Sequence, residues 1–228
     1  MYNKLAKNAT VGVVSTSITS AANNISFSNV PSMPTLLFMI PTNSSTFNLS
    51  TTGYIVNVIY DGTTRQSIHM KSSGNWEAST SDVTVSWTNG TLKLTSSANR
   101  FYNTSYNLIY IIQPDSYAKD KIETSTATVS SNSRTISFSG LSGDVSTFAV
   151  IPLTTAAVNS SASYIYNIIY ASNAFRTIYT SYSWNSYKIN STTSYMSKSY
   201  NNGTLTLTST SPYFRSGIEY KLVAVVAG

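Results

Sequence analysis

Asn89-Gly90-Thr91-Leu92-Lys93-Leu94-Thr95-Ser96 returns later in the chain as Asn202-Gly203-Thr204-Leu205-Thr206-Leu207-Thr208-Ser209. Each copy opens with Asn-Gly, the strongest short-range signal for a two-residue hairpin, because a type I′ turn needs positive φ at both central residues. Apolar and polar residues then alternate, as they do along a strand with one buried face. On the other side of the first turn, Val83, Val85 and Trp87 alternate in the same way.

Working outward, further pairs keep the same order. Ile25-Ser26-Phe27-Ser28 returns as Ile136-Ser137-Phe138-Ser139, and Ile40-Pro41 as Ile151-Pro152. Tyr54-Ile55-Val56-Asn57-Val58-Ile59-Tyr60 returns as Tyr164-Ile165-Tyr166-Asn167-Ile168-Ile169-Tyr170, Trp76 aligns with Trp184, and Tyr106-Asn107-Leu108 aligns with Tyr220-Lys221-Leu222. The offset is 111 residues from Ile25 to Ile136 and 113 from Asn89 to Asn202. Order and spacing kept over so many landmarks mean an internal duplication.

The pattern in each copy predicts an all-β fold: two tandem homologous β-sandwich domains, Ig-like or jelly-roll-like, with turns every few residues. The Tyr54–Tyr60 and Tyr164–Tyr170 runs, rich in β-branched and aromatic residues, read as central strands. Pro41 and Pro152 should each close a strand, since proline donates no ladder hydrogen bond. The first strand of each copy is expected at Thr10–Val14 and Thr126–Val129. The boundaries read as an N-terminal arm at 1–8, a first repeat at 9–112, a charged linker at 113–123 and a second repeat at 124–228.

Composition limits the function. Only 10% of residues are charged and 41% are hydrophobic, with 17 tyrosines against 8 phenylalanines. The aromatic and β-branched content argues against disorder. The net charge is +6 and the pI about 9.4, but the fourteen basic residues are scattered, unlike the clustered track of a nucleic-acid binder. No nucleic-acid partner is expected. Cysteine is absent, so disulfides and thiolate metal sites are excluded. No apolar run follows Met1–Lys7, and none is long enough to cross a bilayer, so the reading is a protein made in a cytoplasm with no membrane partner.

Catalytic chemistry is hard to place. His69 is the only histidine, has no counterpart in the second copy, and reads as a surface strand residue. Asp61, Glu77 and Asp82 belong to one copy and Asp144 and Glu219 to the other, so no carboxylate pair recurs as a glycosidase or calcium site would need. The expectation is no enzyme, no catalytic residues, no cofactor and no metal.

What the copies share is aromatic. Trp76 and Trp184 sit in polar surroundings, and Tyr182, Tyr187 and Tyr195 crowd the same region of the second copy. Such residues are either cross-strand packing or a binding face in which rigid rings supply area and neighbouring Ser, Asn and Gly supply hydrogen bonds. A partner protein or a sugar polymer would suit that face.

The succession Ile-Ser-Phe-Ser, Ile-Pro, Tyr-x-x-x-x-Ile-Tyr, a Ser- and Tyr-rich stretch with tryptophan, Asn-Gly-Thr-Leu-Thr-Leu-Thr-Ser and a closing Tyr-Lys-Leu-Val resembles β-modules in virion proteins of tailed bacteriophages that infect Gram-positive hosts. The resemblance spans both copies. It implies a non-enzymatic virion structural protein, either a capsid decoration or a tail or baseplate appendage. Such a protein would be made in the bacterial cytoplasm and carried as a homo-oligomer or in many copies beside other virion proteins. The alternative it leaves open is a carbohydrate- or receptor-binding module that touches a host-surface glycan. The lack of a coiled-coil or repetitive shaft separates this chain from a typical tail fibre and favours a compact accessory protein.

Overall fold

Asn89 and Gly90 have φ of 47° and 80°, and Asn202 and Gly203 have φ of 46° and 75°. Both hairpins therefore turn on positive φ at the two central residues, as the Asn-Gly pairs require. The computed structural model describes residues 10–42, 53–62, 65–70, 76–79, 81–112, 120–153, 164–171, 173–180, 187–190, 195–210 and 214–227.

The described chain is built of antiparallel β-strands. The first repeat holds β1 (Thr10–Ser17), β2 (Asn24–Phe27), β3 (Leu36–Pro41), β4 (Tyr54–Tyr60), β5 (Arg65–Met70), β6 (Trp76–Ser79), β7 (Val83–Thr88), β8 (Thr91–Ser96) and β9 (Ser105–Ile112). The second holds β10 (Lys121–Thr128), β11 (Thr135–Phe138), β12 (Val145–Pro152), β13 (Ile165–Ala171), β14 (Ala174–Thr180), β15 (Tyr187–Asn190), β16 (Met196–Asn201), β17 (Thr204–Ser209) and β18 (Glu219–Val226). In each repeat a six-stranded sheet, β1-β9-β3-β4-β5-β6 or β10-β18-β12-β13-β14-β15, faces a three-stranded sheet, β2-β8-β7 or β11-β17-β16. Equivalent strands occupy equivalent places. Pro41 and Pro152 end β3 and β12, opposite Tyr106 and Tyr220.

Two expectations are corrected by the register. Thr124 lies opposite Val223 as Val13 lies opposite Ile109, so the counterpart of Thr10 is Lys121 and not Thr126. β10 thus begins inside the segment that reads as a linker; its two charges mimic a solvated connection although Ile122 is partly buried. His69, expected on the surface, is 0% exposed.

Each sandwich encloses its own core. Ile25, Phe27, Leu37, Met39, Val58, Leu92 and Leu108 share one core, and Ile136, Phe138, Phe148, Val150, Ile168, Leu205 and Leu222 share the other. A third apolar layer lies between the repeats. Leu36, Phe38, Ile40, Ile59, Ile109 and Ile111 of the first meet Ala149, Ile151, Ile169, Ala171, Val223 and Val225 of the second. These are the alternate residues of the same central strands: Leu37 and Met39 point into the sandwich, while Leu36, Phe38 and Ile40 point out of it. Period-two alternation sends successive side chains to opposite faces, so a strand apolar throughout is buried on both. The result is four stacked sheets.

Directional contacts rim this layer. Gln66 donates from Nε2 to the Pro152 carbonyl at 3.2 Å, and Lys221 Nζ lies 3.1 Å from Asp61 Oδ2. Asn57 and Asn167, each 1% exposed, alternate with Val58 and Ile168 and so face the layer too.

Two tyrosines lock equivalent corners. Tyr106 Oη accepts from the Tyr102 N–H at 2.8 Å and donates to the Tyr102 carbonyl at 3.2 Å. Tyr220 Oη accepts from the Arg215 N–H at 3.0 Å and donates to the Ile165 carbonyl at 3.2 Å. Burial holds both phenols neutral, pushing Tyr220 up to about 12 and Tyr106 well above the usual phenol range. A folded pKa above the unfolded value near 10 contributes stability that is complete below about pH 10 and lost as pH rises through about 12. Denaturant unfolding followed across alkaline pH should show this fall. Tyr220→Phe should flatten it and lower neutral-pH stability by about 1–3 kcal/mol through lost hydrogen bonds. An unchanged alkaline slope in Tyr220→Phe and Tyr106→Phe would remove the tyrosines as its cause.

Candidate functional site

The five aromatic residues singled out from sequence do not form one described cluster. Trp184 and Tyr182 lie outside the described residues. Trp76 opens β6 and Tyr187 opens β15, where the backbone alone is described. Met70 pairs with Trp76 and Thr180 with Tyr187, so the counterpart of Trp76 is Tyr187, not Trp184. Trp184 lies three residues before Tyr187 in the chain, near enough for the two tryptophans to look equivalent in sequence. Tyr195 is half-buried, with its ring centroid 6.5 Å from that of Tyr179 on β14.

Trp87, the third tryptophan, is structural. Its Nε1 donates to the Val30 carbonyl at 2.7 Å, and Tyr200 does the same job in the second repeat, donating from Oη to the Leu141 carbonyl at 3.4 Å.

The densest polar chemistry lies where sequence reading placed a surface histidine. β5 pairs with β4 so that His69 stands opposite Ile55 and Ser67 opposite Val58, which turns both toward the first core. His69 Nε2 lies 2.8 Å from Ser67 Oγ and 3.2 Å from Asp82 Oδ2. Arg100 Nη1 reaches His69 Nδ1 at 2.7 Å and Asp82 Oδ2 at 2.8 Å. Serine, histidine and aspartate side by side invite comparison with a hydrolytic triad, and the geometry decides against it. A guanidinium only donates, so Nδ1 is the acceptor and the imidazole proton sits on Nε2, toward Ser67 and Asp82. A general base must instead turn a lone pair to its nucleophile and its N–H to the carboxylate. Here the lone pair faces Arg100, and Ser67 Oγ is within 3.4 Å of the Ser79 carbonyl as its own acceptor. The cluster ties β5 to the start of β7 and the approach to β9.

The second repeat fills the same volume differently. Tyr179 stands opposite Ile165 as His69 stands opposite Ile55, and Tyr195 precedes β16 as Asp82 precedes β7. The ion pair of one repeat is an aromatic pair in the other. Sequence reading missed this correspondence because the partners are far apart in the chain and share no residue type.

The outer faces of the small sheets are hydroxyl rows. Thr135, Thr208 and Ser197 stand abreast across β11, β17 and β16, as do Ser137, Thr206 and Ser199, with Ser137 Oγ 2.9 Å from Thr206 Oγ1. In the first repeat the rows are Asn24, Thr95 and Thr84, then Ser26, Lys93 and Ser86. One lysine is the sole charge in these rows. Among the described residues no three of His, Asp and Glu are grouped to share a metal ion.

Removing Asp82 leaves His69 and Arg100 facing each other without a counter-charge. Because Asp82 and Arg100 are about a quarter exposed, Asp82→Ala should cost roughly 2–3 kcal/mol, below the range for a fully buried pair. The double variant His69→Tyr with Asp82→Tyr installs the second repeat's pair and should cost less than the sum of its single variants in a denaturation cycle. Strict additivity would show that the two positions do not interact.

Comparison of the chain with protein families, with curated proteins and with solved structures gives no match.

Proposed function

We propose that this chain is a non-enzymatic structural protein of a tailed bacteriophage particle, a surface-exposed capsid decoration or tail or baseplate appendage present in many copies. The observation that carries the reading is what lines the outer sheets. His69, Asp82 and Arg100 hold one another inside the first repeat and Lys221 holds Asp61 between the repeats, while the outer sheets offer rows of hydroxyl and amide side chains with Lys93 as their one charge. That division suits a rigid block that offers surfaces for docking. The likeness of the duplicated motif to virion β-modules gives the block its setting. Synthesis would be in the bacterial cytoplasm and residence in the virion.

A second reading, adhesion to a host-surface glycan, draws support from the half-buried Tyr179–Tyr195 ring pair beside the strand that carries Tyr187. Particles purified by density gradient and probed with antibody to this chain separate the outcomes. The structural reading expects the chain to band with particles in a fixed ratio to the major capsid or tail protein. Recovery in the unsedimented lysate alone refutes it. Loss of cell-wall binding in a normally folded Tyr195→Ala variant would favour the glycan reading.

A further inference from the structure

β1 is the outer strand of the first six-stranded sheet, hydrogen-bonded to β9 on one side and to no other described strand. Edge strands are ordinarily guarded by charge, proline, a bulge or brevity, because their free N–H and C=O groups template further pairing. β1 has none of these. It runs for eight residues, Thr-Val-Gly-Val-Val-Ser-Thr-Ser, in unbroken register with β9. The equivalent edge of the second repeat, β10, carries Lys121 and Glu123.

The side chains give the same asymmetry. Val11 and Val13 are 42% and 51% exposed, two of three large exposed apolar residues among those described. Val11 stands opposite Ile111 and Val13 opposite Ile109, so both continue the apolar layer between the repeats past its edge. At the equivalent place in the second repeat, Ile122 is packed against that layer. The first repeat's edge leaves an established apolar interface unfinished.

We infer that two copies of this chain associate through β1, antiparallel about a twofold axis, joining their six-stranded sheets into one continuous sheet. The strand is its own complement: it bears no charge to repel a second copy. A register centred on Gly12 sets Val11 opposite the partner's Val13 and Val13 opposite the partner's Val11. All four valines then share the face that carries the inter-repeat layer, because directly opposed residues in a sheet point the same way. Such an interface is isologous and closed, giving a dimer and not a fibre. The inference stands apart from the proposed place in a particle.

Sedimentation velocity on the full chain should show a dimer across the micromolar range. Val11→Lys with Val13→Lys should weaken it by at least about tenfold and leave the melting temperature unchanged at concentrations where both chains are monomeric, since both side chains are already partly in water. The chain has no cysteine, so Val11→Cys with Val13→Cys should form an interchain disulfide under mild oxidation, while Ser139→Cys, outside the strand, should not. A wild-type chain that stays monomeric, as it would if residues 1–9 covered the edge, overturns the inference. So does a dimer that persists with both lysines, or equal crosslinking of the control.

Discussion

The two six-stranded sheets are apolar on both faces, and the architecture follows from that one constraint. A sheet with a single apolar face is satisfied by one covering layer. Here β3, β4, β9 and their counterparts β12, β13 and β18 alternate between residues committed to their own sandwich and residues committed to the layer between sandwiches. Each six-stranded sheet therefore needs two covers. The three-stranded sheet supplies one, and the other repeat supplies the second. Burying a side chain such as Val, Ile or Phe contributes roughly 1.5–3 kcal/mol, and the central layer holds six such positions from the first repeat and four, with two alanines, from the second. Neither repeat could leave its partner without exposing that whole face.

An apolar layer has no preferred direction, because the hydrophobic effect counts area and not angle. Orientation comes from the rim. The Gln66–Pro152 hydrogen bond and the Lys221–Asp61 pair each join one repeat to the other at a single place. Neither is repeated at the equivalent position as an identical pair: Asp61 corresponds to Ala171 and Lys221 to Asn107. The duplication supplied two matching apolar faces, and later divergence supplied contacts that distinguish them. Asn57 and Asn167 add a cost at the same level. Their amide atoms are buried without a partner among the described residues, each such group costing about 1–3 kcal/mol, so the apolar layer must outweigh them.

Much of the fold was legible in the chain, and the reason is local. Asn-Gly turns, period-two alternation and proline-terminated strands are written within a few residues of where they act, and Asn89-Gly90, Leu92 and Leu94, and Pro41 stand where these rules put them. The duplication was equally plain because it repeats such signals. The inter-repeat layer was not plain. A run such as Leu36–Pro41 signals burial on both faces but does not name the second cover. The polar cluster was the least legible. His69, Asp82 and Arg100 come from three separate segments, and a lone histidine between Ile68 and Met70 reads as an outward strand position unless the register with β4 is known. Among the aromatic residues, Tyr195 meets the ring of Tyr179, and Trp76 pairs in register as Tyr187 does, three residues past the tryptophan that sequence alone matches to it.

The comparison between repeats shows which parts of the design tolerate change. Core positions keep their character: Phe27 and Phe138, Leu92 and Leu205, Phe101 and Phe214, and Tyr106 and Tyr220 occupy matching places, all fully buried. Beside them, an Arg–Asp–His cluster and a Tyr–Tyr pair fill one volume by different means. Both solutions bridge the strand next to the sheet edge to the start of the hairpin above it. An ion pair taken partly out of water gains little net energy unless its remaining groups are hydrogen-bonded; in the first repeat His69, itself bonded to Ser67, adds a hydrogen bond to the Arg100–Asp82 pair, while Arg100 Nε is buried with no partner among the described residues. The second meets the same mechanical need with a ring contact between Tyr179 and Tyr195. What the fold fixes at this position is a bridge between two sheets; the chemistry of the bridge is free to vary, which is why the polar cluster can resemble a catalytic group in composition and serve as packing.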